Sequence, residues 1–120
     1  MVSNLERPMI AAMRYPFAED VRRVVDSLVA GDHAGLEGNR MSAADLAGAI
    51  AAYGRQLITP PEAAFETIDA VRVHDGGIER WSVRFDLWTA EEGRSDLTLE
   101  MTVKRAGSGY SVDVDDLHVL

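Results

Sequence analysis

The carboxylates of the last third of the chain are the side chains whose number and spacing come closest to chemistry. Residues 85–120 hold eight acids (Asp86, Glu91, Glu92, Asp96, Glu100, Asp113, Asp115 and Asp116) against three bases (Arg94, Lys104 and Arg105), and so carry five of the eight net negative charges. Two carboxylates held close together share a raised pKa and serve as acid and base. Facing outward as a group, the same acids steer a basic partner toward the surface. Spread over a solvated sheet face, they only discourage aggregation. What surrounds the acids decides between these uses.

Other chemistries are poorly supplied. The chain has no cysteine, which excludes thiol nucleophiles, zinc ribbons and disulfide frameworks and makes a reducing cytoplasm the expected compartment. His74-Asp75 and Asp115-Asp116-Leu117-His118 contain ligand types but neither the spacing of a helical His pair nor that of a calcium loop, so no metal and no cofactor is expected. Gly107-Ser108-Gly109 opens no helix and is a turn, not a phosphate cradle. No serine sits in a nucleophile elbow. A net charge of -8 disfavours nucleic acid, and Arg22-Arg23 is too small a basic patch to reverse that. Enzymatic activity is accordingly not the expectation.

The elements that must position these residues follow from periodicity. Val21, Val24, Val25 and Leu28 fall on one stripe of a helix over about 17–30, with Glu19 and Asp20 in its first turn and Gly31 as its stop. Asp32 to Arg40 reads as a turn-rich connector. Ser42 and Asp45 form a capping box for a second helix over about 43–53, whose stripe is Leu46, Ala49, Ile50 and Tyr53; its Gly48 and alanines imply close packing on a neighbour. Thr59-Pro60-Pro61-Glu62 breaks the chain and starts one helical turn through Phe65. Beyond Thr67 the period becomes two. Val71 and Val73 alternate up to the turn Asp75-Gly76-Gly77; Trp81, Val83, Phe85 and Leu87 share one face of the next strand, and Ser82, Arg84, Asp86 and Trp88 the other. Leu97, Leu99, Met101 and Val103 define a third strand, and Tyr110, Val112 and Val114 a fourth. Leu117 and Val119 then slip in phase, which calls for a β-bulge at Asp115-Asp116.

Charge pairing selects a register. Arg84 opposite Glu100 and Asp86 opposite Thr98 is preferred to Asp86 opposite Asp96, because opposite charges across a pair gain about 0.2–1 kcal/mol and like charges lose a similar amount. A two-residue turn led by Gly107 then brings Glu100 near Asp115, giving a row of Arg84, Glu100 and Asp115. The fold class expected is α+β: two to three N-terminal helices on a curved antiparallel sheet of four or more strands, as one domain over 17–120, with 1–16 an arm or short helix. Nothing in the first residues has the form of a signal peptide, and no stretch is long and apolar enough to span a membrane. Arginine supplies eleven of the twelve bases and alanine is abundant, a composition typical of a GC-rich bacterial genome.

The helix ending in Val29-Ala30-Gly31-Asp32, followed by three long C-terminal strands, resembles the nuclear transport factor 2-like superfamily with its cystatin-like α+β cone. The stretches Trp81 to Trp88, Glu91 to Leu99 and Asp115 to Val119 also resemble an uncharacterised bacterial family of small proteins, over about 17–120. The first resemblance implies a cone that holds a ligand in some members, with an aspartate base and tyrosine or histidine partners; Tyr53, Tyr110 and Asp86 are the counterparts by type, and none matches a motif residue by residue.

Two functions remain open. The first is a protein-binding module, in its most concrete form an immunity-type inhibitor of a basic partner, with Arg84, Asp86, Trp88, Glu91, Glu92, Asp96 and Glu100 as contact surface and Trp88 as anchor. A homodimer through the open sheet face competes for that surface. The second is a small-molecule binder or a hydrolase or isomerase, with Tyr53, Phe65, Trp81, Phe85, Met101 and Tyr110 around an apolar cavity; the same side chains equally serve as packed core.

Overall fold

A computed structural model describes residues 15–36 and 40–120. All but the last two residues of the expected N-terminal arm, 1–16, lie outside the described residues. Among the described residues three α-helices, α1 (Ala18–Ala30), α2 (Ala43–Tyr53) and α3 (Glu62–Glu66), pack with an open antiparallel sheet of five strands: β1 (Leu57–Ile58), β2 (Asp69–Asp75), β3 (Ile78–Thr89), β4 (Gly93–Ala106) and β5 (Gly109–Val119). The class is α+β, with the helices preceding most of the sheet.

The two long helices form for the reasons their sequences suggest. α1 buries Val21, Val24, Val25 and Leu28, each contributing about 1.5–3 kcal/mol by leaving water, and ends where the Gly31 and Asp32 amides donate to the carbonyls of Leu28 and Ser27. α2 opens on the capping box: the Asp45 amide donates to Ser42 Oγ and the Ser42 amide to Asp45 Oδ2. Leu46 is its one fully buried side chain. The close packing expected around Gly48 is absent, since a Cβ placed there meets nothing within 4 Å. α2 lies against the β5 end of the sheet with its alanine face turned to solvent, so small residues here permit a helix without creating a contact.

β3 is the organising strand. It pairs with β4 from Arg80 to Thr89, interrupted at Leu87, including Arg84 with Glu100 and Asp86 with Thr98. Its other edge is shared: β2 covers Ile78 to Arg84, β1 covers Trp88 and Thr89, and 85–87 have no strand partner on that edge among the described residues. The side chains of Val83, Phe85, Leu87, Leu99, Met101, Val103, Val114 and Leu117 meet the helices in one core. Phe65 of α3 stacks on Phe85 at 5.0 Å, and Arg22 of α1 lies over the Phe65 ring and pairs with Glu62. At the opposite end, Phe17 is fully buried among Tyr15, Trp81 and Tyr110.

Two local rules override simple alternation. Gly76 and Gly77, both at positive φ, form a two-residue turn that sets Asp75 opposite Ile78. That register places odd residues of β2 beside even residues of β3, so Val71 and Val73 emerge on the face away from the helices and Arg72 on the helix side, over Trp81. The turn fixes the pairing and the valines follow it. In β4, three residues oppose Leu87 alone; the buried Ser95 ties this irregularity, donating to the Leu87 carbonyl at 2.7 Å and accepting from the Leu97 amide at 3.1 Å. Ser95→Ala removes both bonds in a dry site, and urea unfolding is expected to show a loss of about 1–3 kcal/mol with an unchanged m-value.

Candidate functional site

The face of the sheet opposite the helices carries the alternate residues of every long strand. From β3 to β5 it reads in rows: Arg84, Glu100, Asp116; then Asp86, Thr98, His118. The rows differ from the expected Arg84, Glu100, Asp115 because β5 gains one residue between Val114, opposite Met101, and Asp116, opposite Glu100. Asp115 is the inserted residue and accepts a bond from Thr102 Oγ1 at 2.6 Å. Glu100 therefore faces Asp116 and not the expected Asp115. The bulge also returns Leu117 to the core, which is the physical reason for it.

Six of the seven candidate contact residues divide into three groups, and Asp96 stands apart. Arg84, Asp86 and Trp88 stand together on the helix-free face. Asp86 accepts from Thr98 Oγ1 at 2.9 Å and pairs with Arg94 Nε at 3.1 Å. Trp88 is half-buried, its ring lying over Gly93. These residues wall a notch of about 550 Å³ where β3 lacks a strand partner, completed by Arg94 and Leu120 and by Ile68 and Ala64 from the α3 side. Glu100 belongs to the second group, close to His118 and Asp116. Asp96 sits in the β4 irregularity, where its carbonyl accepts from the Leu120 amide.

Glu91 and Glu92 form the third group and have a different task. Glu91 Oε1 accepts from the Gln56 amide at 3.1 Å. Glu92 accepts from the Tyr53 hydroxyl at 2.7 and 2.8 Å and from Thr89 Oγ1 at 3.0 Å, while its own amide donates back to Thr89 Oγ1. Both carboxylates thus fasten the β3–β4 turn to the end of α2. Reversing their charge disturbs the fold as well as the surface.

Of the six cavity candidates, Phe65, Phe85 and Met101 are buried in the packed core. Trp81 and Tyr110 close the core's far end, with the Trp81 Nε1 and the Tyr110 hydroxyl both donating to Glu79 Oε2 at 3.3 Å. Tyr53 is at the surface, bound to Glu92. The sequence reading omitted Arg94, Leu120, Asp116 and His118 from the site. Asp116 and His118 are two apart on a strand and therefore share a face, a signal readable once the bulge is placed.

The Tyr53 hydroxyl has its pKa raised above 10.0, first by the hydrogen bond to Glu92 and then by desolvation. Among the described residues no helix is long and apolar enough to cross a membrane.

The fold and this face define a small α+β domain, with three α-helices among the described residues packed on an open antiparallel sheet. Residues 21–120 match the family model described as "Domain of unknown function (DUF7668)", and the chain belongs to that family. No curated protein and no solved structure matched it.

The Tyr53–Glu92 bond carries a pH signature. A folded-state pKa above the unfolded value means the protonated hydroxyl is favoured by folding, so its contribution is complete below about pH 10 and is lost as pH rises through the folded value. Compared with Tyr53→Phe, the wild type is expected to show greater stability at neutral pH, and the difference should shrink at strongly alkaline pH in paired thermal melts.

Proposed function

We propose that this chain is a non-enzymatic protein-binding module that receives its partner on the helix-free face of the sheet. The observation carrying this reading is the exposure of large apolar side chains on that face: Val71 is 62 %, Ile78 53 % and Leu120 66 % exposed, with Val73 at 38 %. Val71, Val73 and Ile78 neighbour one another along the β2–β3 hairpin, and an apolar patch among polar residues marks an interaction surface. The face also offers the half-buried Trp88 beside the notch, in keeping with aromatic anchors at interfaces. Its β5 side is acid-rich, with Asp113, Asp115 and Asp116, which suits a basic partner and rapid, salt-sensitive association. An immunity-type inhibitor is the most concrete form of the reading, and a second copy of the chain is the competing occupant. The cavity reading has less behind it, because Phe65 and Met101 are packed in the core and, of the six candidates, Phe85 alone lines the notch.

The test is capture of a partner by tagged protein from cells of the source organism, read by mass spectrometry, with two variants beside the wild type. Val71→Lys with Ile78→Lys alters only exposed positions and is expected to abolish a stoichiometric partner while melting close to the wild type. Ala47→Lys, on the solvent side of α2, is expected to retain it. Identical captured sets from all three proteins, or no partner from any, overturn the reading.

A further inference from the structure

Glu100 and Asp116 are directly opposed on β4 and β5, an arrangement of like charges that costs stability on a sheet. His118, two residues beyond Asp116 on the same face, stands against both. Its Nε2 lies 3.3 Å from Glu100 Oε2 and its Nδ1 2.9 Å from Asp116 Oδ2. The second contact is not aligned as a hydrogen bond: Nδ1 is shut off from solvent and has no hydrogen-bond partner among the described residues. One ligand atom from each of the three residues falls within 4.8 Å of the others.

We propose that Glu100, Asp116 and His118 form a binding site for a divalent first-row transition cation. Three features of the geometry converge on this. Two opposed carboxylates concentrate negative potential that a cation between them neutralises. An imidazole nitrogen hidden from water and left without a hydrogen bond gains a partner in the metal. An imidazole with two carboxylates is also a donor set for zinc, manganese or iron, whereas calcium and magnesium take oxygen alone. Zinc bonds of about 2.1 Å draw tetrahedral ligand atoms to roughly 3.4 Å from one another, so side-chain rotations of about 1 Å close the site. Three protein ligands leave further coordination positions for water or a donor from a docking molecule. The site rests on these three residues and is independent of the protein-binding reading.

Zinc chloride titrated calorimetrically into the full chain at pH 7.5 is expected to saturate at one ion per chain, with no comparable binding of magnesium. His118→Ala and Asp116→Asn are each expected to weaken binding at least about tenfold, and His33→Ala with His74→Ala to leave it intact. Zinc should raise the melting temperature of the wild type. In wild-type protein, nuclear magnetic resonance should show the imidazole signals of His118 moving with zinc while those of His74 stay in place, so the result does not depend on the folding of any variant. Failure to saturate, binding unchanged in both site variants, or an unmoved His118 imidazole overturns the proposal.

Discussion

A strand in this sheet has only two faces to offer, and the helices cover one of them, so every apolar residue of β3, β4 and β5 must have the same parity across the ladder or lose its burial. β5 cannot meet that demand as an uninterrupted strand. Val112 and Val114 are even-numbered and Leu117 is odd-numbered, yet Val114 and Leu117 are both buried. The inserted residue Asp115 resolves the conflict by shifting the register by one. Burying a leucine contributes about 1.5–3 kcal/mol, which outweighs one interrupted ladder position held by the bond from Thr102 to Asp115.

The consequence on the opposite face is larger than on the core side. The same insertion puts Asp115 and Asp116 on the polar face in succession, sets Asp116 against Glu100 and brings His118 level with Thr98. A packing requirement under the helices thus assembles a concentrated anionic site on the side the helices leave open. The break in strand pairing at 85–87 acts in a similar way at the other end of the face. The chain leaves β1, makes the turn of α3 that stacks Phe65 on Phe85, and returns as β2, so a notch opens beside Trp88, Arg84 and Asp86.

Much of the fold was legible in local chemistry. The stripe of Val21, Val24, Val25 and Leu28, the Ser42–Asp45 capping box, the pairing of Arg84 with Glu100 and the bulge near Asp115 each follow from a period, a cap or a charge pair within reach of one element and its neighbour. What escaped depends on how distant elements meet. β1 has two residues and no period to detect. Val71 and Val73 alternate like core residues, but the Gly76-Gly77 turn dictates their face. Glu91 and Glu92 read as free acids at a hairpin tip, and only the seating of α2 shows that Tyr53 and the Gln56 amide hold them. Arg94 and Leu120 reach the notch through the β4 irregularity and the end of β5, neither of which the alternation of either strand announces.

The register of β4 with β5 is the most direct measurement of this account. Cross-strand nuclear Overhauser contacts in labelled protein should join the backbone of Met101 to Val114 and that of Leu99 to Leu117, with Glu100 facing Asp116. A continuous ladder in which Glu100 faces Asp115 and Leu99 faces Asp116 would remove the bulge, return Leu117 to the open face and contradict the account.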